Sequence, residues 1–358
     1  MTTLAERSLT VACWAGLGNR LRVLISGLTA AAASDRYFNM LWPRTRDCAA
    51  SFTELFVNEW PVEEAPLAAV KDLPPYLGYY CPPLPDALTS PEPHLALLTP
   101  HWLLEPTRSP RHAALLPKCA ALLAALEPAS LVADQIAAFK AVHFRPRMIG
   151  VHLRRGDFLF YGAGAANNDA SSIRAVESLL RQWPDAGIFL CSDDGAGDPY
   201  QDRRTVTGVH AAYRQHFGER VVWRTPTSLD RSQPAAIQDA LVDLWLLRAT
   251  NGFVGTPDSS FSEMAIFGRS VPTRWAEPDN LPYRLATGLL NASGIAWLLR
   301  QDSQRRFGRE LSLLRLMDYH RRRWRGRPIM NDARAWQRHA LPLAQPAEEC
   351  ASPGCAAG

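Results

Sequence analysis

Ile149-Gly150-Val151-His152-Leu153-Arg154-Arg155-Gly156-Asp157 is a short apolar, β-branched run that ends in a histidine, two arginines, a glycine and an aspartate. Such a run reads as a buried strand whose carboxyl end opens into a polar loop. Open α/β sheets hold their ligands at that end. Arginine presents a planar fork of donors that matches phosphate oxygens, and it stays charged when partly desolvated. Alone, the stretch fits either a phosphate site or a pair of solvated arginines.

The pattern repeats downstream. Asp157 to Ser172 reads as a polar loop and Ile173 to Gln182 as a helix. Gly187-Ile188-Phe189-Leu190-Cys191 reads as a strand ending in Ser192-Asp193-Asp194-Gly195. Arg220 to Trp223 reads as another strand. Gln233 to Thr250 predicts a helix, with Pro234 in its first turn and Ile237, Leu241, Leu244 and Trp245 on one face. Asp239 and Asp243 share another face at i, i+4, and repel unless something basic meets them. Phe253-Val254-Gly255 is a short strand leading into Thr256-Pro257-Asp258-Ser259-Ser260, ahead of a helix from Phe261 to Gly268. Hydroxyls there fit an ordinary cap or an anion site. This β-α-β-α-β array is the mark of a doubly wound sheet.

Upstream, Leu9 to Trp14 reads as a first strand, followed by the glycine-rich turn Ala15-Gly16-Leu17-Gly18-Asn19-Arg20. Leu21, Leu24, Ile25, Leu28, Ala31 and Ala32 recur at helical spacing, with Asn19 as the expected cap. The turn lacks the third glycine and the lysine of the usual nucleotide fingerprints, and fits a tight turn as well as a ligand contact. Tyr37 to Trp42 completes a β-α-β unit. Ser51 to Phe56 reads as a short helix, Pro61 to Pro100 as loop with short extended pieces, and Ala113 to Lys140 as helix broken near Pro128.

The length of 358 residues predicts two domains. The boundary is expected at His143 to Arg147, giving segments 1–144 and 145–300. A basic helical segment, 301–345, and a disordered tail, 346–358, follow. A net charge of +4 argues against a dedicated nucleic-acid binder. Seven scattered cysteines fit a reducing compartment better than a disulfide framework. No Cys-x-x-Cys pair or i, i+4 histidine pair predicts a metal. With no signal-like or membrane-spanning run, the chain reads as soluble and cytosolic. Arg305 to Arg327 carries nine arginines against Glu310 and Asp318, with Leu313, Met317, His320 and Trp324 on one stripe. Such a helix either meets an anionic membrane surface peripherally or packs back on the body.

Together these blocks resemble the inverting fucosyltransferases of the α1,6 (nodulation), α1,2 and protein O-fucosyltransferase superfamily. Gly16-Leu17-Gly18-Asn19-Arg20-Leu21 is similar to their N-terminal glycine-asparagine motif, and His152-Leu153-Arg154-Arg155-Gly156-Asp157 to their His-x-Arg-x-Gly-Asp signature. Ser192-Asp193-Asp194 and the stretch from Asp243 through Ser259-Ser260 are similar to the second and third blocks. The resemblance implies a GT-B-like fold, two Rossmann-like domains facing a cleft, with GDP-fucose as donor substrate, a glycan acceptor, and no metal or other cofactor. It implies that Arg154 holds the β-phosphate, with His152 and Arg155 supporting the loop. Asp243 would accept from guanine N1 and N2, Ser259 or Ser260 would bond phosphate, and Gly18-Asn19 would reach the donor across the cleft. Asp157 and Asp193 would brace the reacting site. Asp157, Asp169 and Glu54 are candidate bases, none singled out; Gly162 lies near where some relatives carry a glutamate. Another GDP-sugar fits the same contacts, since guanine and phosphate groups do not see the sugar. A non-catalytic sugar-nucleotide or glycan-binding protein is the rival from another class.

Overall fold

The computed structural model describes residues 7–66, 69, 86–104, 109–155, 169–193, 208–257 and 259–276. Two parallel sheets are stacked through their helices. The first holds β1 (Ser8–Ala12), β2 (Tyr37–Leu41), β3 (Val62–Glu63) and β4 (His94–Leu98) in the order β3-β2-β1-β4. The second holds β5 (Met148–Leu153), β6 (Gly187–Ser192), β7 (Val221–Val222), β8 (Gly252–Gly255) and β9 (Thr273–Trp275) in the order β7-β6-β5-β8-β9. Among the described residues all the strand pairs in these two sheets are parallel. Every residue of β5 is buried, as a strand covered on both faces requires.

In each sheet the strand order switches sides at the first strand. β1 runs out to β2 and β3 on one side and is joined by β4 on the other; β5 stands likewise between β6 and β8. Such switch points open a crevice beyond the carboxyl ends of the strands. The helix α1 (Leu17–Ala33) leaves the first crevice, and α8 (Ser260–Ile266) leaves the second.

The apolar core runs from one half into the other. Leu21 and Leu24 of α1, Leu241 and Leu244 of α7 (Pro234–Arg248), and Met264 and Ala265 of α8 belong to one buried cluster. Trp245, half-buried on α7, packs 5.8 Å from the ring of Phe56 in the first half. The halves also meet through α4 (Ser130–His143), whose Gln135 accepts from Arg224 at 2.8 Å.

Several expectations need correction. Asn19 does not cap α1: Gly16 is the cap, without a side-chain bond, and its carbonyl accepts from Asn19 N at 3.0 Å and Arg20 N at 3.2 Å. The helix starts earlier: Leu17 and Gly18 are buried, and Gly18 meets the Ser260 backbone of the other half, a tertiary gain that local cap preference does not register. The helix α5 (Asp169–Leu180) likewise begins inside the expected polar loop. Ser171 and Ser172 face inward, and Ser172 accepts a bond from the buried Tyr213 hydroxyl at 2.8 Å. Only Val221 and Val222 of the expected strand pair in the sheet, while Gly218–Arg220 is a 3-10 turn. The helix α6 (Val209–Phe217) and the edge strand β9 were not anticipated. Between Pro110–Ala124 (α3) and α4 the expected break holds, and α2 (Phe52–Leu55) carries a capping box between Ser51 and Glu54. Residues 301–358 lie outside the described residues.

Candidate functional site

Both crevices open into one cavity of about 380 Å³. The first half contributes residues 15–19, Arg22 and Asp47. The second contributes His152, Arg154, Asp193, Arg224, Arg231, Asp239, Asp243, Ser259 and Ser260.

A ladder of hydroxyls fixes the end of β5. Thr256 Oγ1 donates to His152 O at 3.0 Å and accepts from Arg154 N at 2.9 Å, so the β8–α8 turn sets where β5 releases Arg154. Ser262 Oγ accepts from Thr256 N at 3.1 Å and lies 2.7 Å from His152 Nδ1. We assign the serine proton to that contact, which places the ring's own proton on Nε2. Burial holds the His152 value down at about 3, with Asp193 opposing and Arg154 reinforcing, so the ring is neutral. It packs 4.8 Å from the Phe261 ring.

The side chains of Arg154 and Arg155 diverge. Arg154 lines the cavity, with Nη1 3.2 Å from Asp193 Oδ2 in an ion pair. The buried Arg155 turns away from the cavity to pair with Asp169, while its backbone N–H donates to Asp193 Oδ1 at 2.5 Å. Burial alone would raise the Asp193 carboxyl. Arg154, the Arg155 N–H and Arg231, 3.9 Å away, outweigh it and hold the group below the usual carboxylate range. Asp193 therefore presents Arg154 to the cavity.

Deeper on the same wall, Arg224 meets both carboxylates of α7. Its Nη2 lies 2.8 Å from Asp239 Oδ1 and its Nη1 3.0 Å from Asp243 Oδ1. Asp239 Oδ2 also accepts from Thr227 N at 2.6 Å. Asp243 Oδ2 has only the weak Cys191 thiol contact at 3.8 Å, which leaves it acceptor capacity toward the cavity. Burial raises Asp243 to about 6 against the pull of Arg224, with Asp239 adding to the rise.

The opposite wall is bolted to this one. A Cβ on Gly18 would sit 2.8 Å from the backbone carbon of Ser260, so α1 and α8 meet at backbone contact. Arg22 Nη1 lies 3.3 Å from Glu263 Oε2, and Trp102 Nε1 donates to Glu263 Oε1 at 3.1 Å. Arg20, fully buried, donates to Ala15 O at 2.8 Å, Pro43 O at 2.6 Å and Thr45 Oγ1 at 2.9 Å, with Trp42 5.1 Å from its guanidinium carbon.

Of the expected site residues, the fold brings Gly18, Asn19, His152, Arg154, Asp193, Asp243, Ser259 and Ser260 to the cavity. Arg155 and Asp169 are spent on each other, and Glu54 on its cap and on Arg44, 3.1 Å away. Asp157 lies outside the described residues. Sequence reasoning missed Asp47, Arg224 and Arg231. The first two follow the carboxyl ends of β2 and β7, so the strand-end rule that selected Arg154 would have found them. Among the described residues no group of three or more His, Cys, Asp or Glu could hold a metal ion, and no helix is long and apolar enough to cross a membrane.

No family model and no curated protein sequence matches the chain. Among solved structures it is similar to Arabidopsis thaliana FUT1, a variant in complex with GDP. The TM-score is 0.52 and the identity 14%, covering 78% of this chain and 73% of that one. It also matches NodZ α-1,6-fucosyltransferase soaked with GDP-fucose, at 0.49 and 18%, over 74% of this chain and 93% of that one; NodZ has also been solved from Bradyrhizobium. POFUT1 in complex with GDP-fucose matches at 0.47 and 13%, over 76% and 98%. Two parallel α/β sheets facing one cavity, in the arrangement of Arabidopsis FUT1, give this chain a GT-B-like fold.

Proposed function

We propose that the chain is an inverting, metal-independent glycosyltransferase that moves fucose from GDP-fucose to a hydroxyl of an oligosaccharide or glycolipid-type acceptor. One observation carries the reading: Arg154 and Asp243, a phosphate ligand and a guanine reader by their chemistry, border the same cavity, with Asn19 of the other half beside them. Asp243 Oδ2 accepts from guanine N1 and N2, a pair of donors that adenine does not present. Arg154 takes the β-phosphate, and Arg231 and Arg22 add positive charge along the walls. Arg155 serves by fixing the loop rather than by touching the donor. The hydroxyls of Ser259 and Ser260 bond the phosphates, while His152, neutral, offers its Nε2 proton to them.

As the sugar–phosphate bond breaks, negative charge grows on the leaving oxygen. A guanidinium already positioned there lowers the barrier without rearranging. The acceptor enters from the first half's side. A cytoplasmic location, with the Arg305–Arg327 segment peripheral to a membrane, fits a lipid-linked acceptor.

The test is to incubate the protein with a panel of GDP- and UDP-sugars and follow nucleotide release. Release from GDP-fucose, and none from UDP-sugars, is expected. Equal release from UDP-sugars, or from none of the panel, would overturn the reading.

A further inference from the structure

Among the described residues four carboxylates border the cavity, and three are committed elsewhere. Asp193 is ion-paired with Arg154, and Asp239 and Asp243 share Arg224. The fourth, Asp47, has no hydrogen bond or ion pair from its carboxylate to any described residue, and it is half-buried at the cavity edge. Among the described residues it is also the one acidic side chain that the first half contributes to the lining.

Its backbone is held in place. Asp47 stands in a tight turn closed by Thr45 N to Cys48 O at 3.1 Å and Cys48 N to Thr45 O at 3.0 Å. Thr45 Oγ1 accepts from the buried Arg20 and donates to Trp14 O at 3.0 Å, which ties the turn to the end of β1. On its other side Ala49 N donates to Arg231 O at 3.1 Å, which ties the segment to the second half. A carboxylate on such a turn is fixed in position before any ligand arrives.

We propose that Asp47 is the general base of the transfer. The inference rests on the donor reading given above. In an in-line displacement the acceptor oxygen reaches the anomeric carbon from the face opposite the leaving phosphate. Arg154 holds that phosphate on the second half's wall, so the base belongs on the first half's wall, where Asp47 stands. In the step, the acceptor O–H proton passes to the Asp47 carboxylate while the new O–C1 bond forms. The bond from C1 to the phosphate oxygen breaks, and its electron pair leaves with GDP. Asp47 then returns the proton to solvent.

The experiment compares Asp47→Asn, Asp47→Ala and the unsubstituted chain. It records GDP affinity by calorimetry and GDP release from GDP-fucose, with water or a supplied glycan as acceptor. Release is expected to fall about a hundredfold or more in Asp47→Asn, the usual share of a general base, with GDP affinity nearly unchanged. Added formate, a small carboxylate able to enter the vacated space, is expected to restore part of the rate in Asp47→Ala. Release by Asp47→Asn close to that of the unsubstituted chain would overturn the base while leaving the donor reading intact. Parallel loss of GDP affinity and turnover would make Asp47 a donor-binding residue, and would overturn the base as well. An unsubstituted chain that neither binds GDP nor releases it from GDP-fucose would overturn both readings together.

Discussion

Arg224 Nη1 lies 3.0 Å from Asp243 Oδ1, and this contact leaves the other carboxylate oxygen to face the cavity. Guanine recognition needs that carboxylate ionised, yet burial has raised it from 3.8 to about 6. GDP affinity is therefore expected to fall as pH drops below about 6, approaching tenfold per unit once the carboxyl is mostly protonated. Stability responds with the opposite sign. A carboxyl raised in the folded chain contributes stability that is complete below the unfolded value of 3.8 and is lost as pH rises through about 6. Calorimetric titrations with GDP between pH 5 and 8 check the first point. Asp243→Asn should flatten the profile, and an unchanged slope in that variant would assign the dependence to another group.

Arg154→Lys keeps the charge but loses the planar fork. We expect kcat to fall by about two orders of magnitude, comparable to removing an oxyanion donor. Asp193 would still have a cation beside it, so folding should survive. Arg155→Lys should affect kcat less, since Arg155 points to Asp169 and away from the cavity. Steady-state kinetics in both variants check this. A rise in the donor KM for Arg154→Lys with kcat intact would make the arginine an ordinary binding residue.

The cationic side chains at the cavity, Arg22, Arg154, Arg224 and Arg231, bear on metal dependence. If Arg154 with Arg231 supplies the charge that a leaving pyrophosphate needs, nucleotide release should persist in excess chelator. Activity lost in chelator and restored by magnesium or manganese would contradict this and direct attention to Asp193.

Gly18→Ala is expected to cost about 1–3 kcal/mol of stability, as overpacking does, because the new methyl meets the rigid Ser260 backbone at 2.8 Å. It should also weaken GDP binding by prising the walls apart. Denaturant midpoints together with GDP affinity check both effects. A variant as stable as its parent would show that α1 and α8 can separate freely.

Much of the frame was legible in the residues, for reasons that differ element by element. The apolar β-branched run at Ile149 announced a buried strand, and Pro234 marked the first turn of α7. The Asp239–Asp243 spacing demanded a cation that the local sequence did not identify. Arg224 follows the carboxyl end of β7 and was open to the strand-end rule, but its pairing with both carboxylates of α7 belongs to the tertiary fold. The resemblance implied different roles for Arg154 and Arg155, but the partners that turn one to the cavity and the other away, Asp193 and Asp169, could not be read from the motif. Asp47 was passed over because nothing periodic surrounds it, although it follows a strand's carboxyl end just as Arg154 does.

The bonds of Arg20 reach only to Ala15, Pro43 and Thr45, within 25 residues along the chain, whereas Arg22 reaches 241 residues on to Glu263. The first wall of the cavity is thus a structure of short loops, and the join between walls is one of very long loops. Chain closure over short separations is fast, and domains form in order as they leave the ribosome. The turn that carries Asp47 can take shape while the second sheet is still unsynthesised, so the wall would be waiting when α8 arrives to dock on it. Refolding from denaturant would then show an early phase confined to the first sheet and a later one that creates the nucleotide cavity.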